Sequence, residues 1–307
     1  MKYVAIFPGQ GSQKIGMGRD FFDNSKIARE MVEKAGNRLG FDFKEILFEK
    51  NDKLELTQFA QPSILLVSII AYKLFAKEAT LKPEFFLGHS LGEFSAICSS
   101  GALNYLDAIE LVYNRGLFMA KACEDKDAGM MVLLGLSDEK TKEIVKNAQN
   151  DGKQIWVANY NCDGQIVVAG DKKDLISMEG EFKGAGAKRA MLLNMSVASH
   201  CPILQSAQGK LSVYLQKFID TDFAAPIISN VTAEPYNTKE DAIKLLNAQL
   251  VSPVLYKQSI KNIESKTDKF IEFGGSVLKG INKKITKKDT ISITDMESLQ
   301  KAVLEFR

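Results

Sequence analysis

The pattern of apolar and polar positions changes twice along the chain. In the first part, short apolar runs alternate with longer segments of helical periodicity. Such alternation predicts a parallel sheet flanked by helices. We predict strands at 4–7 and 85–87 and helices at 61–78, 93–99 and 106–122.

The middle part has a different order of elements. We predict strands at 129–135, 154–160, 165–170 and 189–193 and helices at 138–148 and 175–184. The order β-α-β-β-α-β is that of a ferredoxin-like domain. We therefore predict a ferredoxin-like small domain at 126–194, inserted into a large α/β domain formed by 1–125 and 195–307. In the returning part of the large domain we predict helices at 206–218 and 239–249 and strands at 270–273 and 291–293.

Composition and charge narrow the class of protein. Hydrophobic residues make up 45% and charged residues 25% of the 307 residues, which is typical of a soluble globular protein. The formal net charge of +2 gives no strong attraction to nucleic acid. The longest apolar run, 64–72, is too short to span a membrane, and the N-terminus lacks the apolar block of a signal peptide. We expect a cytoplasmic protein that binds neither nucleic acid nor membrane.

The cysteines indicate no metal site. Cys98, Cys123, Cys162 and Cys201 form no CxxC pair and do not alternate with histidine at metal-ligand spacing. We interpret them as reduced thiols. Because Cys201 follows His200 directly, a catalytic cysteine–histidine pair is an alternative to the serine discussed next.

The strongest local motif is Gly-His-Ser-Leu-Gly at 88–92, between a predicted strand and a predicted helix. This is the context of a nucleophile elbow, a tight turn that exposes the oxygen of Ser90 at a helix N-terminus. The alternative is a helix cap, because Ser90 and Glu93 also fit a capping box. The pentapeptide alone favours neither interpretation.

A serine nucleophile needs a base, and the chain has two histidines. His89 lies inside the elbow, so its side chain should point away from that of Ser90. His200 is therefore the candidate general base. The alternative is that His200 is a structural residue.

Arg115 lies on an apolar face of its predicted helix. Its neighbours at helical spacing are Leu111, Val112, Phe118 and Met119. A buried guanidinium needs a carboxylate, and the helix offers none at matching positions. The partner is either a distant acidic residue or the carboxylate of a substrate, to which the planar fork of arginine is well suited.

A glycine-rich loop, Gly-Gln-Gly-Ser-Gln at 9–13, follows the first strand. It does not match a nucleotide-binding loop, because Lys14 and Met17 stand where such loops need glycine and lysine. It is either a simple turn or a set of donors at the carboxyl end of the sheet.

Together these motifs resemble the malonyl-CoA:acyl carrier protein transacylase family. The resemblance rests on 9–13, 88–93, Arg115 and 199–200 and extends over nearly the whole chain. It implies an α/β fold, with an α/β-hydrolase-like large domain and the inserted ferredoxin-like domain. It also implies transfer of malonyl from malonyl-CoA to the phosphopantetheine thiol of acyl carrier protein in fatty acid biosynthesis. A coenzyme A thioester is then the substrate, and no cofactor is expected.

The resemblance also implies a role for each site residue. Ser90 would be the nucleophile, His200 the base, and Arg115 the group that holds the malonyl carboxylate. The N–H groups of Gln10 and Leu91 would form the oxyanion hole. The backbone carbonyl of Gln249 would orient His200, so that no acidic residue completes a triad. We expect a monomer whose partners are malonyl-CoA and acyl carrier protein.

Three other functions stay open. Ala198-Ser199-His200 is similar to the triplet of polyketide acyltransferases that accept methylmalonyl. A serine esterase or thioesterase would need a Ser, acid, His order along the chain, and acidic residues do lie between 90 and 200. A scaffold that only docks acyl carriers would need none of the three site residues.

A lysine cluster is either a carrier-docking patch or ordinary solvated surface, and comprises Lys279, Lys283, Lys284, Lys287 and Lys288.

Overall fold

The computed structural model describes residues 1–195 and 197–306. Ser196 and Arg307, which the predicted large domain includes, lie outside the described residues. The strands are β1 (Tyr3–Phe7), β2 (Phe85–Gly88), β3 (Ala128–Leu134), β4 (Ile155–Cys162), β5 (Gln165–Asp171), β6 (Arg189–Leu192), β7 (Ile227–Ile228), β8 (Pro235–Tyr236), β9 (Lys269–Phe273) and β10 (Thr290–Ile293). The α-helices are α1 (Arg19–Asn24), α2 (Lys26–Leu39), α3 (Phe43–Phe48), α4 (Thr57–Glu78), α5 (Leu91–Ser100), α6 (Tyr105–Cys123), α7 (Asp138–Asn150), α8 (Lys172–Ser177), α9 (Glu179–Gly184), α10 (Gln205–Phe218), α11 (Lys239–Gln249), α12 (Tyr256–Ile263), α13 (Val277–Asn282) and α14 (Met296–Glu305).

The larger sheet has the strand order β10-β9-β1-β2-β7-β8. Its first five strands are parallel, and β8 pairs antiparallel with β7. All five residues of β1 are buried, as expected of a central strand with helices on both faces. The predicted parallel sheet is confirmed. Its strand order reverses at β1, so the loops after β1 and β2 bound a crevice at the carboxyl edge.

The smaller sheet has the order β4-β5-β3-β6, and all its neighbouring strands are antiparallel. With α7 after its first strand and α8 and α9 after its third, this is the predicted ferredoxin-like arrangement. The residue boundaries of the small domain, 126 and 194, stay a prediction.

Two sets of polar contacts join the small sheet to the rest of the molecule. Strand β4 exchanges backbone hydrogen bonds with Val254, whose N–H lies 2.8 Å from the Ala158 carbonyl. The buried ammonium of Lys257 pairs with Asp138 on α7 and, at 3.0 Å, with Asp163 in the β4–β5 turn. These contacts anchor the small sheet and its first helix to the segment 254–257 of the large domain.

Helix α4 runs through the core of the large domain. By length and composition alone it could span a membrane, but 78% of its most apolar window is buried inside the protein. Ile and Leu side chains around its whole circumference are buried against neighbouring helices and the sheet. The helix therefore serves as a core element, as its apolar composition predicts.

Some elements differ from the sequence-based expectation. The single helix predicted at 175–184 is two short helices, α8 and α9, which meet at Met178. Gly180 and Gly184 lower the helix propensity of this segment, so an unbroken helix is not favoured. Helices α1 to α3 were not predicted, although α2 has a serine cap and an apolar stripe at 28, 31, 32 and 35. Strands β7 and β8 have two residues each and leave no detectable periodicity.

Candidate active site

Ser90 lies in a strained turn between β2 and α5. Its backbone has φ 51° and ψ −106°, a conformation that only surrounding contacts can hold in a residue with a side chain. The glycines at both ends permit the turn. A Cβ on Gly88 would lie 1.7 Å from the carbonyl carbon of Gly92, and one on Gly92 would lie 2.1 Å from the Phe7 oxygen. The turn thus has the geometry of a nucleophile elbow.

His200 meets the serine from the segment that follows the small sheet. The Ser90 Oγ lies 2.8 Å from His200 Nε2, and His200 Nδ1 lies 2.8 Å from the backbone carbonyl of Gln249. A carbonyl only accepts hydrogen bonds, so the proton is on Nδ1 and the Nε2 lone pair faces the hydroxyl. Burial lowers the pKa of His200 to about 3, and the charge of Arg115 adds to this effect. The imidazole is therefore neutral at neutral pH and can accept the serine proton.

The structure contradicts three alternatives weighed above. Ser90 makes no side-chain cap to α5, so the capping-box interpretation is wrong. The Cys201 thiol is buried beside the Ala198 carbonyl, and burial raises its pKa to about 12, which makes it a poor nucleophile. The group that orients His200 is the carbonyl of Gln249, which follows His200 in the chain, so the site does not use the Ser, acid, His order.

Arg115 projects from α6 toward the same serine and is 1% exposed. Its guanidinium donates to Gln61 Oε1 at 2.8 Å, to Gln249 Oε1 at 3.1 Å and, weakly, to Ser90 Oγ at 3.4 Å. Among the described residues, no carboxylate lies within ion-pair distance of it, and its buried Nε has no hydrogen-bond partner. Burial lowers the pKa of Arg115 to about 10, which leaves the side chain charged at neutral pH.

Behind these groups lies a buried polar network that sequence reasoning missed. The Glu93 carboxylate accepts from Gln249 Nε2 at 2.7 Å, from the Asn230 N–H at 3.2 Å and from the Tyr236 hydroxyl at 3.0 Å. The Asn230 side chain accepts the Ser90 N–H and donates to the Gly88 carbonyl, both at 2.7 Å. Asn230 thus holds the strained turn. No pattern marks Asn230 or Tyr236, and for Glu93 the sequence suggests only the alternative of a capping box.

His89 points away from Ser90, as expected from their adjacency. Its Nε2 lies 2.7 Å from the side-chain oxygen of Asn161 on β4, and its ring packs on Tyr256. Burial lowers its pKa. His89 therefore connects the elbow with the small sheet.

A cavity of about 510 Å³ opens between the two sheets above Ser90. Gln10 from the loop after β1, Leu91 at the first turn of α5, His200 and Arg115 all line it. The N–H of Leu91 has no intrahelical carbonyl available, because it belongs to the first turn. The opposite wall is the inner face of the small sheet, with Met130, Val132, Leu134, Asn159, Asn161, Gln165 and Val167. Over 1–195 and 197–306, no group of three His, Cys, Asp or Glu is placed to hold a metal ion.

A hydroxyl at an elbow, a neutral imidazole within hydrogen-bond reach and N–H groups at a helix N-terminus are the parts of a serine acyl-transfer site. The α/β fold and this site place the chain in the class of enzymes that transfer acyl groups through a serine, with a buried cation beside the nucleophile.

Comparison with known proteins identifies the family. Residues 4–298 match the family described as acyl transferase domain. The malonyl CoA-acyl carrier protein transacylase of Bacillus subtilis (strain 168) is 37% identical over 306 residues, which cover 98% of this chain and 96% of the relative. A crystal structure of malonyl-CoA:acyl carrier protein transacylase from Helicobacter pylori superposes with a TM-score of 0.97, at 46% identity, and covers 100% of this chain and 98% of its own.

A structure of a type II PKS acyl-carrier protein in complex with its malonyl-transacylase also matches, with a TM-score of 0.95 and 30% identity over 99% of this chain and 100% of the matched one. The chain belongs to the acyl transferase domain family and, within it, to the malonyl CoA-acyl carrier protein transacylases.

Proposed function

We propose that the chain transfers a malonyl group from malonyl-CoA to the phosphopantetheine thiol of acyl carrier protein, through a malonyl ester of Ser90. The observation that carries this proposal is Arg115, a buried cation in the same cavity as the nucleophile, with hydrogen-bond donors still available. An acyl group that ends in a carboxylate would supply the missing partner. An esterase or a scaffold has no need of such a residue.

In the first half-reaction, His200 Nε2 takes the proton of Ser90 Oγ while the oxygen attacks the thioester carbonyl. The N–H groups of Gln10 and Leu91 stabilise the oxyanion. The carbon–sulfur bond then breaks, and the coenzyme A sulfur takes the proton from His200. In the second half-reaction, the carrier thiol gives its proton to His200 and attacks the ester, and Ser90 regains its proton as the carbon–oxygen bond breaks. The site residues alone move the protons, so we propose that no cofactor takes part.

The two thiol substrates explain which residues line the cavity. Coenzyme A and acyl carrier protein both present a thiol on a long, partly amidic pantetheine arm. The wall formed by the small sheet offers apolar side chains together with the amides of Asn159, Asn161 and Gln165, which suits such an arm. We propose that both arms use this wall in turn. We further propose that the chain works as a cytoplasmic monomer in fatty acid biosynthesis.

The test of the substrate assignment is Arg115→Ala. A charge-assisted hydrogen bond contributes roughly 1.5 to 3 kcal/mol, so malonyl transfer should fall about ten- to a hundredfold, while acetyl transfer should change far less. The measurement is kcat/KM with malonyl-CoA and with acetyl-CoA. Arg189→Ala, at an exposed position on β6, is the control and should leave both unchanged. An equal loss with both substrates in a folded Arg115→Ala variant would contradict the assignment.

A further inference from the structure

The buried charge of Arg115 is partly offset by an acid that does not touch it. Glu93 is fully buried, and its charge acts on Arg115 without forming an ion pair. The side chain of Gln249, also fully buried, stands between the two. Its Oε1 accepts from Arg115 Nη2 at 3.1 Å, and its Nε2 donates to Glu93 Oε2 at 2.7 Å. The result is a chain of carboxylate, amide and guanidinium.

An amide beside Arg115 leaves more of its N–H donors free than a carboxylate would. A carboxylate in contact with arginine engages two parallel N–H groups and occupies the fork. The Gln249 amide oxygen takes one N–H, and Gln61 takes one more. Arg115 therefore keeps donors for a ligand, while the counter-charge one amide away lowers the cost of burying a cation.

We propose that Gln249 is a spacer that keeps Glu93 off the guanidinium, and that this arrangement makes the site selective for acyl groups with a free carboxylate. The proposal rests on the function proposed above for Arg115. Glu93 and Gln249 are positioning residues, because neither is among the described residues that line the cavity above Ser90. This use of the Gln249 side chain is separate from the contact of its backbone carbonyl with His200.

A charge swap tests the spacer directly. The double variant Glu93→Gln, Gln249→Glu keeps the total charge and the carbonyl that orients His200, but places the carboxylate on Arg115. The ratio of kcat/KM for malonyl over acetyl transfer should fall at least about tenfold. Disturbance of Ser90 or His200 affects both acyl groups and cancels from the ratio. Gln216→Glu, the same substitution at an exposed position on α10, should leave the ratio unchanged.

Glu93→Gln alone should move the same ratio the other way. It removes the counter-charge but keeps the spacer, so the malonyl carboxylate becomes the only anion beside Arg115 and the ratio should rise. The proposal requires a fall in the swap and a rise in the single variant. An unchanged ratio or equal losses in a folded swap would overturn it, as would a ratio that does not rise in Glu93→Gln. If circular dichroism shows that the swap does not fold, the single variant decides.

Arg115→Ala separates this proposal from the one on which it rests. If that variant leaves the malonyl-to-acetyl ratio unchanged, Arg115 does not hold the carboxylate and the proposed function fails. If that variant lowers the ratio and the swap does not, Arg115 selects malonyl without the spacer, and only the present inference is overturned.

Discussion

In the proposed mechanism, the protonation state of one residue, His200, determines whether Ser90 can be activated. Its ring is buried beside Arg115, and both burial and that charge oppose protonation. Its Nδ1 proton is held by a neutral carbonyl rather than by a carboxylate. No full negative charge is therefore placed against the imidazole, and its resting form is the neutral base that the chemistry needs.

The pH dependence of acylation should reflect this environment. The native pKa of His200 is about 3, below its ordinary value of 6.5, so the base stays neutral as the pH falls through 6.5. We expect no acid limb centred near 6.5 in kcat/KM. Glu93, whose pKa burial raises to about 7, also titrates in this range, so the pH profile is measured in Glu93→Gln as well, which lacks that carboxylate. An acid limb near 6.5 that persists in Glu93→Gln would contradict the account.

The lowered pKa of His200 also makes the free energy of unfolding depend on pH, in a direction that can be stated. The stabilisation that comes from a neutral buried His200 is complete above pH 6.5, the unfolded value, and is lost as the pH falls from 6.5 toward 3. The contribution of His200 to the free energy of unfolding should therefore decrease over this range, so that His200→Gln loses less stability than the wild type as the pH falls. Urea denaturation at several pH values measures both slopes. Equal slopes in the two proteins would show that His200 is not the group that titrates.

Among single residues, part of the site could be predicted from the sequence. Ser90, His200 and Arg115 stood out because each breaks a local pattern: a serine in an elbow, a histidine with no substitute, and a cation on an apolar face. The structure brings all three together. Asn230 and Gln61 could not be predicted, because their function lies only in contacts with residues 140 and 54 positions away.

Among the elements, the β2–α5 turn carries the strictest steric demands. Gly92 faces the end of β1, with its Cα close to the Phe7 carbonyl, and Gly88 faces Gly92 itself. The turn is therefore packed backbone against backbone, and the strained Ser90 is held from outside by Asn230. This explains why the sequence needs two glycines there.

Gly92→Ala should disrupt this turn. Its Cβ would lie 2.1 Å from the Phe7 oxygen, so β1 or α5 must shift, and we expect lower stability together with a loss of acylation. Gly184→Ala is the matched control, because the space around Gly184 on α9 is open. An alanine there should stabilise the protein by roughly 0.5 to 1 kcal/mol. Urea denaturation and acylation rates compare the two. A Gly92→Ala variant as stable and active as wild type would refute the packing argument.

The prediction of helices and strands succeeded in segments with a long hydrophobic periodicity. It failed in segments whose conformation is determined by contacts with other elements. Helix α6 and strands β3 and β5 lie within a few residues of their predicted bounds. Strands β7 and β8 exist because β2 and the Glu93 network hold them in place, which a two-residue apolar segment cannot reveal.

At the scale of the whole molecule, the cavity mouth carries positive charge. Lys284 lines the cavity above Ser90 and also a neighbouring hollow of about 510 Å³ lined by Lys283, Lys287 and Lys288. All four side chains are exposed. All members of the lysine cluster except Lys279 therefore lie beside the opening through which a pantetheine arm would enter, which favours the docking interpretation over ordinary solvated surface.

The docking interpretation requires an acidic surface on the carrier protein, so reversing the charge at Lys283 and Lys284 should weaken the encounter between the two proteins. We expect a higher KM for acyl carrier protein at low salt, an effect that shrinks as salt is added. Changes in KM for malonyl-CoA should be smaller. Lys34→Glu with Lys50→Glu, two exposed lysines on another part of the surface, is the control of equal charge. Identical carrier kinetics for the two double variants would exclude a docking patch at this place.

The central claim is that Ser90 carries the malonyl group between two thiols. Intact-mass spectrometry after mixing with malonyl-CoA tests it most directly. Wild-type protein should gain one malonyl mass and lose it when acyl carrier protein with its phosphopantetheine arm is added, and Ser90→Ala should gain none. A malonyl adduct on Ser90→Ala, or a wild-type adduct that the carrier does not remove, would contradict the account.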